Sequence, residues 1–240
     1  MPRAAFITGG AKRIGAAIAR ALVADGYPVV LHFNRSQAEA ENLCRDVHAQ
    51  GGQAALVQGD LADLDGLAAL YSRACAPFGP PGLLINNASV FAPDRIETLE
   101  SGLFSEQLAT NLQAPLLLSR AFAAALPEGE AGAIINIIDQ RVLRPDPDYF
   151  SYAISKAALH HATKMLAQAL APRIRVNAIG PGPVLPNVHE GDQAFQQEAA
   201  ATLLQRPVPV EEIARTAVFL AQAPNITGQM LAVDSGQHLS

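Results

Sequence analysis

Short runs of almost unbroken apolar character alternate along the chain with longer segments whose apolar residues recur every three to four positions. The first run, residues 4–9 (AAFITG), breaks at glycines and leads into RIGAAIARALVADG, which keeps helical spacing. Strand-like YPVVLHFN, helical SQAEAENLCRDVHAQG, strand-like QAALVQGD, helical DLDGLAALYSRACAPFG and strand-like GLLINNAS follow in turn. The pattern predicts a long helix near 101–126, a strand at 132–139, a helix from Tyr149 to about Ala171 and a strand at RIRVNAIG. A Pro/Gly-rich turn (PGPVLPN), a polar helical insertion at 190–206, a helix (VEEIARTAVFLAQA) and a last strand (QMLAVDSG) complete it. Strands that are apolar on both faces and joined through helices imply a parallel sheet covered on both sides. Right-handed crossovers then give a doubly wound α/β fold that binds ligands at the carboxyl ends of its strands. No repeat, linker or low-complexity stretch interrupts the alternation, so residues 1–240 read as one domain with an insertion at about 183–206.

Composition narrows the classes. With 240 residues, half of them apolar, the chain can bury a substantial core. A net charge of −5 lacks the basic balance of nucleic-acid or anionic-membrane binding, and no apolar stretch is long enough to span a bilayer. The start, MPRAAFITGG, enters its first strand at once and leaves no room for a signal peptide. These features predict a cytoplasmic protein with no nucleic-acid or membrane partner. Cys44 and Cys75 fall in separate helical segments and read as thiols in a reducing compartment. The adjacent His160 and His161 point about 100° apart on a helix and make a poor chelate, so no metal site is predicted.

Between the first strand and first helix lies Thr8-Gly-Gly-Ala-Lys-Arg-Ile-Gly15. Glycines allow a tight turn and close backbone approach to a pyrophosphate, and the helix N-terminus supplies free N–H groups and a positive dipole end. The run fits neither G-x-G-x-x-G nor a P-loop, but its place in a Rossmann-type sheet makes Thr8, Gly9, Arg13, Ile14 and Gly15 candidate cofactor contacts. An acidic residue about twenty positions later would accept the ribose hydroxyls of NAD. Here Asn34, Arg35 and Ser36 stand instead, a set suited to a 2′-phosphate, which favours NADPH. A solvated loop charge is the other reading of Arg35. His32 shares the strand face of Asn34 and either lines this pocket or is packed. Asp60, beside Leu61, suits an adenine amino group or a helix N-terminus equally.

Chemistry concentrates at the end of the 132–139 strand and in the helix after it. Tyr152 and Lys156 are four apart on one helix face, so an ammonium near the phenol is predicted to lower its pKa. Asp139 stands thirteen residues before Tyr152. It reads as a proton-handling carboxylate or, alternatively, as an N-cap or a partner of Arg141 or Arg144.

Together the Thr8–Gly15 turn, Asp60-Leu61, Asn86-Asn87-Ala88, Asn111, Tyr152-x-x-x-Lys156, Asn177 and Pro181-Gly182 resemble the short-chain dehydrogenase/reductase family from end to end. The resemblance implies that Tyr152 donates or accepts the proton, Lys156 lowers its pKa and holds the nicotinamide ribose, and Asn111 anchors a water in a distorted helix. It also implies that Asn87, Ala88, Ser89, Pro181 and Gly182 lie against the cofactor and that the protein is a homotetramer.

Three departures are informative: Arg13 where the family usually has Gly, Ser89 with Phe91 after Asn-Asn-Ala, and Asp139 in place of the catalytic Ser. All three are similar to the pteridine reductases and the related dihydromonapterin and dihydrofolate reductases, as is His32-Phe-Asn-Arg-Ser36. That likeness implies reduction of a C=N bond in a pterin ring stacked on Phe91, with Arg13, Ser89, Asp139, Tyr152, Pro183 and Val184 around the substrate. Phe91 could instead cap the core. A carbonyl (3-oxoacyl or ketone) reductase is an alternative reading. A silent NADP-binding sensor is another, against which the intact Tyr152, Lys156 and Asn111 stand.

Overall fold

Alternation along the central strands sends neighbouring side chains into two separate cores. The structure is a computed structural model that describes residues 3–187 and 191–240. In β1 (Ala5–Ile7), Ala5 and Ile7 join one core and Phe6 the other. The same split divides Leu83 and Ile85 from Leu84 in β4 (Leu83–Asn86), and Ile135 from Ile134 in β5 (Gly132–Ile137). Helices α1 (Arg13–Ala24) and α8 (Val210–Gln222) cover the first face, burying Ile18, Ala19 and Leu22 against Ile213, Ala214 and Ala217. Leu67 and Leu70 of α3 (Leu67–Cys75), Leu118 and Phe122 of α5 (Ala114–Ala125) and Ala167 of α6 (Phe150–Leu170) cover the second. Phe122 is fully buried, and such a side chain contributes about 2–3 kcal/mol by leaving water.

The sheet is entirely parallel, in the order β3-β2-β1-β4-β5-β6-β7. Its remaining strands are β2 (Val29–Phe33), β3 (Ala54–Gln58), β6 (Ile174–Pro181) and β7 (Met230–Val233). After β3 the chain crosses back to place β4 on the other side of β1, which opens a crevice at the carboxyl ends of these two strands. A buried polar chain locks the sheet to α6: Asn86 Nδ2 donates to Asn136 Oδ1, and Asn136 Nδ2 to Thr163 Oγ1, both at 2.9 Å.

The predicted helix at 101–126 is divided. It forms α4 (Ser101–Leu108), a π-helical turn (Ala109–Gln113) and α5. Pro115 has no N–H to offer the Asn111 carbonyl, so the regular ladder cannot run through this turn. The predicted helix at 190–206 is shorter, α7 (Gly191–Ala200), and Gln205 beyond it is left-handed at φ 53°. Residues 188–190 of the insertion lie outside the described residues. Among the described residues no helix is long and apolar enough to cross a membrane.

Candidate active site

A cavity of about 600 Å³ occupies the crevice, with the turn after β1 as its floor. Gly9 sits at φ 60°, and a Cβ on Gly15 would lie 2.2 Å from the Gly9 carbonyl oxygen. Only glycine permits that approach, which brings the turn tight against the start of α1, where backbone N–H groups and the helix dipole favour an anion.

His32, 2 % exposed, holds this turn from beneath. Its Nδ1 accepts from the Gly9 N–H at 3.2 Å, and its Nε2 lies 3.1 Å from the Gly59 carbonyl oxygen, which assigns the ring proton to Nε2. Burial lowers its pKa to about 4, so the ring is neutral. Both readings of His32 therefore meet: it is packed, and it lines the cavity.

Thr8 corrects an expectation. Its hydroxyl donates to Ile85 O at 3.3 Å and accepts from the N–H groups of Asn87 (2.9 Å) and Ala88 (3.1 Å). It thus ties β1 to the segment after β4, buried away from the cavity it was expected to line. Asn87 Nδ2 braces the same turn through the carbonyls of Thr8 and Gly9.

Ile14, Asn34, Arg35, Ser36, Asp60, Leu61, Ala88, Pro181 and Gly182, all candidate cofactor contacts, line the cavity. Arg35 is exposed and enters no ion pair among the described residues. Asp60 accepts from Ala62 N at 2.9 Å, so it caps a turn while facing the cavity. Arg13 is left-handed at φ 53°, which explains why glycine is usual there. Its guanidinium donates to Pro186 O at 3.2 and 3.1 Å, linking the turn to the loop that follows Gly182.

Asp139, Tyr152 and Lys156 gather where β5 ends. Asp139 caps a short turn by accepting from Arg141 N at 2.8 Å, and its other oxygen accepts from the Tyr152 hydroxyl at 2.9 Å. The N-cap reading of Asp139 is met, and the same carboxyl group also holds the Tyr152 hydroxyl. Lys156, 3 % exposed, donates to Ile137 O at 2.8 Å and places Nζ 5.6 Å from the Tyr152 ring centre.

The expected lowering of the Tyr152 pKa is not found. Burial, then the charge and hydrogen bond of Asp139, push the phenol well above its usual value. Burial raises Asp139, opposed first by Arg141, and lowers Lys156 to about 8, opposed by Asp139. The phenol therefore keeps its proton, held against Asp139, rather than presenting a phenolate.

Asn111 is fully buried in the π-helical turn. It donates to Val90 O (2.9 Å) and Ser155 Oγ (3.0 Å) and accepts from Val90 N (2.8 Å) and Ser89 Oγ (3.2 Å). Expected among the catalytic residues, its side chain does not line the cavity; it positions the Ser89–Val90 segment against α6.

Phe91 lines the cavity, and it does not simply cap the core. Tyr149 stacks on its ring, and the Tyr152 ring meets it edge-on with centroids 4.6 Å apart. The Arg141 guanidinium carbon lies 5.7 Å from the Phe91 ring centre and 5.1 Å from that of Tyr149. Buried Asp94 fixes the whole group to α6: its carbonyl accepts from Phe150 N (3.2 Å), and its carboxylate from Ser151 N (3.0 Å) and the Ser151 hydroxyl.

A second cavity of about 380 Å³ continues from Ser89, Phe91, Asp139 and Tyr152 to Pro183 and Val184, all candidate substrate contacts. It also brings in Gln140, Arg141, Asn187, Glu198 and Gln237, which sequence reasoning missed. Gln140 and Arg141 adjoin a recognised motif residue and were within reach of it. Gln237 arrives from the far end of the chain and left no signal.

The sequence pattern of the family described as enoyl-(acyl carrier protein) reductase matches residues 9–238. Pteridine reductase 1 of Leishmania tarentolae is 32 % identical, across 98 % of this chain and 96 % of the relative. The 3-oxoacyl-[acyl-carrier-protein] reductase of Staphylococcus aureus is 28 % identical, across 100 % and 99 %. The crystal structure of the FolM alternative dihydrofolate reductase 1 from Brucella canis, complexed with NADP, superposes with a TM-score of 0.96 at 43 % identity, across 99 % of this chain and 94 % of that one. With these likenesses running nearly end to end through the same sheet and motifs, the chain belongs to the short-chain dehydrogenase/reductase family, as an oxidoreductase of its pteridine reductase-like branch.

Proposed function

We propose that the protein reduces a C=N bond of a pterin ring, taking a dihydropterin or dihydrofolate type substrate to its tetrahydro form. NADPH is the cofactor and, when bound, supplies the hydride. The residues present fit it. The glycine turn suits the pyrophosphate, and Arg35 with Ser36 suits a 2′-phosphate.

The observation that carries this reading is the Tyr152–Asp139 hydrogen bond at the cavity wall. A ketone reductase uses a neutral hydroxyl at position 139 to hold a developing alkoxide, which Asp139 would repel whenever it is ionised. A ring nitrogen instead needs a proton. Asp139, its pKa raised, and Tyr152 deliver that proton while Lys156 holds the phenol's surroundings through Ile137 O. Phe91 offers its ring as the stacking surface for the flat bicycle, and Arg13 reaches from the phosphate turn toward its edge.

The test follows NADPH consumption optically with 7,8-dihydrobiopterin, dihydromonapterin, dihydrofolate and a simple ketone, with NADH in parallel. Turnover of the pterins with NADPH, abolished in Tyr152→Phe and impaired in Asp139→Ser, is expected. The likeness to a 3-oxoacyl reductase makes carbonyl reduction the competing reading. Turnover of the ketone alone would establish it instead.

A further inference from the structure

The second cavity ends in a polar wall that the ring chemistry does not use. Gln140 is 5 % exposed, and its amide oxygen has no hydrogen-bond partner among the described residues. Gln237 donates its amide nitrogen to Glu198 Oε1 at 2.7 Å, which fixes the orientation of the amide and leaves its buried oxygen without a partner among the described residues. Arg141 adds a buried Nη1 with no hydrogen-bond partner among the described residues. The short turn at 140–142, α7 and the turn at 237–239 thus bring two free acceptors, a carboxylate and one free donor to one wall.

We infer that Gln140, Glu198 and Gln237 form a specificity subsite for a hydroxyl-bearing side chain on the ring substrate. This rests on the pterin reading above and extends it from ring to substituent. A hydroxyl donates one hydrogen bond and accepts two, so it can satisfy a glutamine oxygen and the Arg141 N–H together. A methyl group offers the wall neither donor nor acceptor, and the carboxylates of a folate tail would set like charge against Glu198.

The test compares three 7,8-dihydropterins with NADPH: 6-methyl, 6-(1,2-dihydroxypropyl), and the aminobenzoyl-glutamate form, dihydrofolate. The wild-type protein should favour the hydroxylated substrate in kcat/KM over the other two. In Gln237→Leu and Gln140→Leu, the loss on the hydroxylated substrate should exceed the loss on the 6-methyl substrate by about tenfold, the weight of one hydrogen bond. Because that ratio is internal to each variant, a general loss of folding cancels. Dihydropterin turnover without wild-type preference, or with equal losses in the variants, would overturn the subsite and leave the ring reading standing. No turnover of any dihydropterin would overturn both.

Discussion

Phe91 and Tyr149 stack face to face, with ring centroids 4.2 Å apart and planes 5° apart. Tyr149 holds φ 57°, a left-handed conformation unusual for a bulky residue, and its hydroxyl accepts from Asn187 Nδ2 at 2.7 Å. Phe91 lines both cavities and Tyr149 neither, so Tyr149 backs the ring that substrate would meet. Tyr149→Leu should therefore raise the pterin KM roughly tenfold, the scale of one lost aromatic stack, with the NADPH dissociation constant held within about twofold. Tyr149→Phe keeps the stack and should change far less. Steady-state kinetics beside a fluorescence titration of NADPH decides; equal weakening of substrate and cofactor would show that Tyr149 is only a packing residue.

Lys156 sets an upper pH limit. Burial lowers its pKa from 10.5 to about 8, so the free enzyme loses the ammonium above that pH. The profile of kcat/KM should turn downward near pH 8, and Lys156→Met should cost roughly 10²–10³-fold at pH 7 and lose that limb. Stability moves the other way. Between about pH 8 and 10.5 the unfolded lysine holds a proton that the folded one has released, so this group's contribution rises with pH. A downward limb retained in the Met variant would assign it to another group.

Arg35 should select the cofactor. It lines the outer end of the first cavity, exposed and outside any ion pair among the described residues. Losing charge-assisted hydrogen bonds worth about 1.5–3 kcal/mol, Arg35→Ala should raise the NADPH KM roughly 10–100-fold and barely affect NADH. The ratio of the two KM values is the measurement. An unchanged ratio would mean that Arg35 is a solvated loop charge.

His32 makes the fold sensitive to acid. The imidazole titrates near 6.5 when unfolded and near 4 in place, so the unfolded chain binds more protons between these values. Stability is therefore lost as the pH falls through this window, by up to roughly 3 kcal/mol. Urea unfolding at pH 7 and pH 4, for wild type and His32→Gln, should show a flatter dependence in the variant. Equal slopes would place the acid sensitivity elsewhere.

Where physics is local, the sequence disclosed the structure. Unbroken apolar runs marked β1, β2, β4 and β5 because both faces of each are covered, and the four-residue spacing of Tyr152 and Lys156 put both on the cavity. The π-helical turn was hidden because apolar spacing runs on through residues 101–126 while Pro115 removes one donor. Thr8 and Asn111 were recognised by type, but a motif does not say which way a side chain faces. Both point inward to brace backbone. The sign of the Tyr152 shift was missed because Lys156 turns its ammonium to Ile137 O and leaves the hydroxyl to Asp139. Gln237 and Glu198 meet only through the folded path of the chain.

The Asp94 cap has a consequence for how this site can change. One carboxylate and its own carbonyl bind the first N–H groups of α6, while three residues upstream the same loop carries Phe91. Phe91 and Tyr152 are thus mounted on one bracket, and the proposed reaction would tolerate only about half an ångström of misplacement between them. Mutations in the 92–100 loop that disturb the bracket should shift both together. New side-chain preferences can accumulate along the Gln140–Gln237 wall without misaligning the chemistry.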